Sequence, residues 1–189
     1  RLIRRQRQMC IRDRITMGDI VTMDDLTNQE IVAVLDDAER LVPVARGDVY
    51  LPLLQGKVLA NMFFENSTRT RMSFETAMKR LGGSVLNFTS IGTSVAKGET
   101  LYDTMQMIDG YADVAAIRHP RQGAAQYSAD AVEIPILNAG DGAGNHPTQT
   151  MLDLFTIRQA HGTLEGLNVV LVGDLRYGRT VHSLSHALV

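Results

Sequence analysis

The sequence contains little cysteine, no tryptophan and no long apolar run. Its single cysteine, Cys10, excludes an intramolecular disulfide framework and a cysteine-based metal site, and it favours a reducing, cytoplasmic setting. No apolar run approaches the roughly 20 residues that cross a bilayer, so we expect no membrane partner. The five histidines are scattered without the spacing of metal ligands. We therefore expect neither a metal nor a cofactor.

A strong overall charge is also absent, because 19 lysines and arginines nearly balance 21 acidic residues. This balance gives no general reason to expect a nucleic-acid partner. Residues 1–14 are the exception, with six arginines and one aspartate. This basic arm has no signal-peptide-like apolar stretch and no aromatic side chain to stack on bases, so we interpret it as non-native or disordered sequence. The alternative is a nucleic-acid-binding arm, which a salt-dependent affinity lost on deleting the arm would support.

The alternation of short apolar runs and helix-period segments predicts an α/β fold. Apolar runs separated by about a dozen residues of helical spacing are typical of βαβ units around a parallel sheet. Thr27 and Glu30 form a capping-box pattern at the start of the first helix. The predicted strands are 57–64, 84–88, 114–118 and 135–139, and the predicted helices are 28–45, a segment ending at Leu81, 99–111, 121–132 and 148–161.

A second structural unit is predicted after Gly162–Gly166. It consists of a strand at 168–172, a polar turn, and a helix from Arg179 in which the sequence stops. One strand and one helix cannot bury an apolar face by themselves. We therefore predict a first domain at 15–161 and the beginning of a truncated second α/β domain at 162–189.

Polar motifs follow each predicted strand of the first unit. The turn after the first strand carries the hydroxyls of Ser67, Thr68 and Thr70 and the guanidinium groups of Arg69 and Arg71. Hydroxyls, arginines and a helix N-terminus together suit a phosphate dianion, although a serine-capped helix with solvated arginines is the alternative. Carboxyl ends of parallel strands share one edge of a sheet, so we predict a ligand site there.

Four motifs carry a family resemblance, and they occur in the order found in that family. They are FFENSTRTR at 63–71, RHP at 118–120, HPTQ at 146–149 and GDLRYGRTVHSL at 173–184. From about Thr22 to its last residue, the sequence resembles the N-terminal part of the aspartate and ornithine carbamoyltransferase family. The resemblance implies a carbamoyl-phosphate-binding domain and transfer of the carbamoyl group to an amine.

The resemblance also implies roles for individual residues. Arg69, Thr70, Arg118 and His146 are the implied catalytic residues. The phosphate would be held by Ser67, Thr68, Arg69 and Thr70, the carbonyl oxygen by Thr70, Arg118 and His146, the carbamoyl NH₂ by Gln149, and the α-carboxylate of the second substrate by Arg179.

We interpret His146 as a neutral donor to the carbonyl oxygen rather than as a general base. The substrate amine is the nucleophile in this interpretation, and the departing phosphate takes its proton. No covalent enzyme nucleophile is needed, and no Ser–His–Asp pattern indicates one.

The loop after the second strand implies a shared active site. In the family, a serine and a lysine of this loop enter the site of the neighbouring subunit within a homotrimer. The matching residues are Ser94 and Lys97, although the family's variable spacing leaves Thr93 as an alternative to Ser94. A solvated loop lysine is the simpler reading of Lys97. The resemblance also leaves room for a regulatory chain as a partner.

The identity of the amine depends on two motifs. The ornithine branch of the family usually has HPCQ, whereas Thr148 stands at the third position here, and GDLRYGRTVHS follows the aspartate pattern. The resemblance thus implies L-aspartate as acceptor, N-carbamoyl-L-aspartate and phosphate as products, and a step of pyrimidine biosynthesis.

Two other functions stay open as alternatives. One is an ornithine-type enzyme. The other is a catalytically incomplete carbamoyl-phosphate-binding fragment, because the family's further second-substrate residues are absent from this sequence. A dinucleotide-binding domain is set aside, because the first strand–turn lacks G-x-G-x-x-G.

Overall fold

The structure is a computed structural model that describes residues 18–89 and 94–188. The basic arm at 1–14 and Thr93 lie outside the described residues. The helices are α1 (Asn28–Arg46), α2 (Thr68–Arg80), α3 (Leu101–Asp109), α4 (Ala124–Ala129), α5 (Pro147–His161) and α6 (Arg179–Ala187), and the strands are β1 (Val58–Phe63), β2 (Ser84–Thr89), β3 (Val114–His119) and β4 (Ile136–Asp141).

Within the described residues, the four strands form one parallel sheet in the order β2-β1-β3-β4. In the centre, Ala60 pairs with Leu86 on one side and with Ala115 on the other. The middle residues of β1 and β3 are buried, because helices cover both faces of the sheet, whereas edge strand β2 is largely exposed. The predicted parallel α/β architecture is confirmed.

The two faces of the sheet bury alternate residues of each strand. Ala60 and Met62 face one cluster together with Met105 and Ile108 of α3, whereas Leu59 faces a second cluster with Met78 of α2. This alternation is the two-residue period of a strand. Because all four strands pair in parallel, their carboxyl ends open on one edge.

Local capping signals determine where the helices begin. The predicted capping box is present in α1, since the Glu30 N–H donates to Thr27 Oγ1 at 3.3 Å and the Thr27 N–H donates to Glu30 Oε2 at 2.8 Å. Helix α3 begins two residues later than predicted, because the Thr100 hydroxyl caps it by accepting from the Asp103 N–H. Helix α4 covers only the middle of the predicted 121–132 segment.

The strand predicted at 168–172 is wrong. Among the described residues these positions have no hydrogen-bonded neighbour strand, and Val170 and Val172 are 82% and 90% exposed. An apolar run has strand periodicity, but it becomes a strand only beside a partner.

Helix α6, predicted from Arg179, is present and packs on the first unit. Its Leu184 joins Ile31 and Leu35 of α1 and Leu154 of α5 in a third apolar cluster. This contact carries the first turn of α6 to the edge of the sheet. No helix in the described part of the chain has both the length and the apolar character needed to cross a membrane.

Candidate functional site

A cavity of about 940 Å³ opens where the polar motifs leave the sheet. Eight of the predicted site residues line it, together with parts of α2, α5 and α6, whereas Lys97 does not. The lining residues are Asn66, Ser67, Thr68, Arg69, Thr70, Ser73, Phe74, Ala77, Arg118, His146, Thr148, Gln149, Leu152, Arg179 and Thr180.

The N-terminus of α2 forms one wall of the cavity. Ser67 occupies the N-cap position, but its side chain makes no capping hydrogen bond and the first turn contains no acidic residue. The hydroxyl and the first N–H groups of the helix are therefore available to a ligand, and the helix dipole favours an anion there. Arg71 is not among the residues lining the cavity; its carbonyl instead accepts from the buried Asn61 side chain.

Two arginines from distant parts of the chain meet at Glu65. The Glu65 Oε1 atom accepts from Arg118 Nη2 at 2.9 Å and from Arg179 Nη2 at 3.0 Å. Burial of Glu65 favours the neutral acid, but the hydrogen bonds and charges of Arg118 and Arg179 outweigh burial and lower the pKa of the carboxyl group. Glu65 therefore holds both guanidinium groups as an ionised carboxylate.

The arginines keep donors that other residues of the chain do not use. Arg118 Nε and Arg179 Nη1 are buried, and neither has a hydrogen-bond partner among the described residues. Gly140 makes room for them, because a Cβ at this residue would lie 2.8 Å from Arg179 Nη1, and its φ of +114° also disfavours a side chain. Buried cationic donors without partners are costly unless a ligand accepts from them.

His146 is a buried, neutral side chain whose tautomer follows from its contacts. It is the N-cap of α5, and its Nδ1 lies 3.4 Å from the Gln149 N–H and 3.2 Å from the Thr148 hydroxyl. Burial and the charges of Arg118 and Arg179 lower the pKa of His146 to about 4. Since Nδ1 accepts these bonds, the remaining proton resides on Nε2.

The Gln149 amide is oriented by its own helix. Its Nε2 donates to Asp153 Oδ1 at 3.1 Å, one turn further along α5. Because the carboxylate can only accept, this bond places the NH₂ end of the amide towards Asp153. The amide oxygen is thereby left as the end that can accept from a ligand.

Ser94 and Lys97 lie in a short 3₁₀ helix, Ser94–Lys97, after β2. The Lys97 side chain is exposed and does not line the cavity. The described residues contain no group of three or more histidine, cysteine, aspartate or glutamate side chains that could hold a metal ion.

Sequence reasoning missed Glu65 as a residue of the site. The signal was its position, directly between a buried strand and the Ser67–Thr70 turn. A carboxylate beside an anion site is repulsive unless cations neutralise it, so its position indicates paired arginines. The partners themselves, 53 and 114 positions away, have no local signature.

Comparison with known proteins gives a consistent result. The model of the carbamoyl-phosphate-binding domain of the aspartate/ornithine carbamoyltransferases matches residues 18–159. An Archaeoglobus fulgidus protein named aspartate carbamoyltransferase catalytic subunit is 54% identical over 91% of this chain and 58% of its own length. Its Methanocaldococcus jannaschii counterpart is 51% identical over 91% of this chain and 56% of its own length.

Solved structures agree with these sequence comparisons. Aspartate transcarbamoylase from Trypanosoma cruzi, in complex with carbamoyl phosphate and aspartate, superposes with a TM-score of 0.87 at 44% identity, covering 90% of this chain and 57% of that one. The M. jannaschii catalytic subunit gives a TM-score of 0.85 at 51% identity, covering 91% and 56%. The chain therefore spans little more than half the length of these relatives.

Proposed function

Because the chain belongs to the aspartate/ornithine carbamoyltransferase family, we propose that its cavity binds carbamoyl phosphate and that the protein transfers the carbamoyl group to L-aspartate. One observation carries the proposal. The cavity combines an uncapped helix N-terminus, two buried arginines with unused donors, and a neutral histidine. This set suits a small phosphate dianion that also carries a carbonyl group.

The N-terminus of α2 binds the phosphate in this proposal. Ser67, Thr68 and Thr70 donate through hydroxyls and backbone N–H groups, and Arg69 supplies the charge. The absence of a side-chain cap at Ser67 supports this assignment, because a capping hydroxyl would be occupied by its own helix.

The carbonyl oxygen is bound by donors from two other strand ends and from α2. Arg118, His146 and Thr70 donate to it, and the Gln149 amide oxygen accepts from the carbamoyl NH₂. Negative charge grows on the carbonyl oxygen as the amine attacks, and each donor aimed at that charge is typically worth about 3 kcal/mol. A neutral His146 with its proton on Nε2 suits donation, whereas a pKa of about 4 disfavours service as a base at neutral pH.

The reaction needs no covalent intermediate on the protein. The deprotonated amine of aspartate attacks the carbonyl carbon and forms the C–N bond. The C–O bond to phosphate then breaks, and the departing phosphate takes the proton that the amine loses. The products are N-carbamoyl-L-aspartate and phosphate, which places the proposed reaction in pyrimidine biosynthesis.

Arg179 is the proposed contact for the α-carboxylate of aspartate. Its Nη1 has no partner among the described residues, while Glu65 holds its Nη2. We assign residues 15–161 to the carbamoyl-phosphate domain and 162–189 to the beginning of the aspartate domain. The relatives named above are aspartate rather than ornithine enzymes, which supports aspartate as acceptor.

We further propose a homotrimer with shared sites in a cytoplasmic setting. Lys97 is exposed and lies outside the cavity of its own chain, so it can reach a neighbour. Ser94 lies in the same 3₁₀ helix. A regulatory chain would be an additional partner of such an assembly.

Calorimetry with carbamoyl phosphate tests the proposal directly. We expect binding by this chain, with N-carbamoyl-L-aspartate formed when aspartate is added and no product with ornithine. Binding without turnover would support the catalytically incomplete fragment. Absence of binding would contradict the assignment of the cavity.

A further inference from the structure

Asp141, the last residue of β4, is a buried carboxylate at the edge of the cavity but not part of its lining. It is 3% exposed. Its Oδ2 accepts from the Gly123 N–H at 2.8 Å, and its Oδ1 accepts from the Asn145 N–H at 2.8 Å and from Asn138 Nδ2 at 3.2 Å. No lysine or arginine forms a salt bridge with it among the described residues, so these N–H donors compensate for its burial.

The two backbone N–H donors to the Asp141 carboxylate come from two different loops. Gly123 ends the loop after β3, the strand that carries Arg118, whereas Asn145 directly precedes His146. A further backbone bond joins the same loops, from the Gly142 N–H to the His119 carbonyl at 2.8 Å. The Asp141 carboxylate therefore joins the segments that deliver Arg118 and His146 to the cavity.

The two loops approach so closely that side chains are excluded between them. A Cβ on Gly142 would lie 2.8 Å from both the Gln122 nitrogen and the Pro120 carbonyl oxygen, and its φ is +53°. Within the loop, the Asp141 N–H donates to Asn145 and the Gly144 N–H donates back to Asp141. Residues 141–145 thus form a closed turn whose centre is the Asp141 side chain.

From this geometry we propose that Asp141 is a positioning residue for His146, an inference that rests on the proposed function. Its carboxylate holds the 141–145 turn against the β3 loop, so that the His146 Nε2–H stays where the carbonyl oxygen binds. A carboxylate is required because both oxygens must accept from N–H groups. Asparagine would present its NH₂ to one of those donors, and bonds to a charged acceptor are about twice as strong.

A positioning role predicts that only one part of the ligand is affected. The proposed phosphate-binding residues Ser67–Thr70 lie at the N-terminus of α2, and the described hydrogen bonds of the Asp141 side chain do not involve them. Loss of the Asp141 bonds should therefore weaken the contact with the carbonyl oxygen and leave phosphate binding intact. A merely structural residue would affect both.

Two stable ligands separate these contacts. Phosphonoacetamide carries both the phosphonate and the carbamoyl carbonyl, whereas methylphosphonate carries the phosphonate alone. For the unaltered 189-residue chain we expect a preference for phosphonoacetamide of at least about tenfold, since one good hydrogen bond alone can supply that much. In Asp141→Asn we expect the preference to fall by about tenfold, the share of the His146 bond, with methylphosphonate affinity changed by less than about twofold.

Three variants complete the experiment. Asp141→Glu keeps the charge but displaces the oxygens, so part of the preference should remain. His146→Ala should lower the preference by the same factor as Asp141→Asn, and combining the two changes should cause no further loss, because both remove the same contact. Asp48→Asn, at an exposed aspartate, should behave like the unaltered chain.

The outcomes are distinct. Equal loss of both ligands in the Asp141 variants, including loss through misfolding, would overturn the inference in favour of a general structural role. An unchanged preference in Asp141→Asn would overturn it as well. Equal affinities in the unaltered chain would instead contradict the proposed function, on which the inference rests.

Discussion

At the scale of single residues, function depends on which hydrogen bonds a polar group has already made. Ser67 and His146 are both N-cap residues, but only His146 uses its side chain to cap. Capping leaves His146 with a single defined N–H on Nε2, whereas the absence of a cap leaves the Ser67 hydroxyl available. The cavity therefore receives two donors, the free Ser67 hydroxyl and the His146 Nε2–H.

Arg69 provides the first prediction at this scale. Replacing Arg69 by alanine should weaken methylphosphonate binding by about a hundredfold, because it removes a charged hydrogen-bonding partner of the anion. Calorimetry measures the change. Arg80→Ala is the matched control, since Arg80 lies at the other end of α2 and outside the cavity. Unchanged affinity in Arg69→Ala would refute the phosphate assignment.

His146 predicts a dependence of stability on pH. Its pKa in the folded chain is about 4, below the ordinary 6.5, so the unfolded chain takes up this proton first as the pH falls. Folding should therefore lose stability from about pH 6.5 down to pH 4, by on the order of 3 kcal/mol from this residue, and no further below. Urea unfolding across this range should show a flatter profile for His146→Gln.

The exposed His161 is the control for this experiment. It has no ion-pair partner among the described residues, so His161→Gln should flatten the profile much less than His146→Gln. If His146→Gln retained the full slope as well, His146 would not be the buried neutral group described here.

At the scale of secondary-structure elements, packing partners decide what an apolar segment becomes. Helix α6 and the segment at 168–172 are both apolar on at least one side. In the 168–172 segment, Leu171 is partly buried against the third apolar cluster, but Val170 and Val172 are exposed. Helix α6 covers α1 and α5 through its buried Leu184. That contact also brings Arg179, the first residue of α6, to Glu65.

Two matched truncations test this contrast. Leu184→Ala should lower the free energy of unfolding by about 2–3 kcal/mol, because it removes a buried side chain and leaves a cavity. Val170→Ala should change it by less than about 0.5 kcal/mol, because Val170 is 82% exposed. A comparable loss of unfolding free energy in both variants would indicate that the Val170 side chain is packed rather than exposed.

At the scale of the whole molecule, the cavity lacks Lys97, a residue that the family resemblance implies for the site. Ser94 and Lys97 follow β2, at the exposed edge of the sheet, while the cavity lies among the ends of β1, β3 and β4 and the helices α2, α5 and α6. A neighbouring subunit can supply both residues without any change in this chain. The shared site is therefore a prediction about assembly.

Complementation tests the shared site. Arg69→Ala and Lys97→Ala chains should each bind phosphonoacetamide weakly when alone. Mixed and reassembled in equal amounts, they should regain tight binding at about a quarter of the sites, those with an intact cavity from one chain and an intact lysine from its neighbour. Sedimentation velocity should show a trimer. Tight binding by a monomer, or a mixture no better than its parts, would contradict the shared site.

The sequence alone determined the elements and the edge at which they open. Strand and helix periods are local, as are the capping box at Thr27 and the glycines that end helices. The parallel direction of the strands followed from the alternation of strands and helices. The position of the cavity followed from the motifs at strand ends. The eight predicted residues that line the cavity could be identified from the sequence for this reason.

Tertiary structure decided the contacts between residues that are far apart in the sequence, which local patterns do not contain. Glu65 bridges Arg118 and Arg179 across 53 and 114 positions, the Asp141 carboxylate joins two loops, and 168–172 has no partner strand in the part of the chain that the structure describes. The state of His146 likewise depends on burial and on arginines from other elements. Hydrogen-bond partners, burial and pKa arise from contacts between distant segments, and periodicity along the chain does not record those contacts.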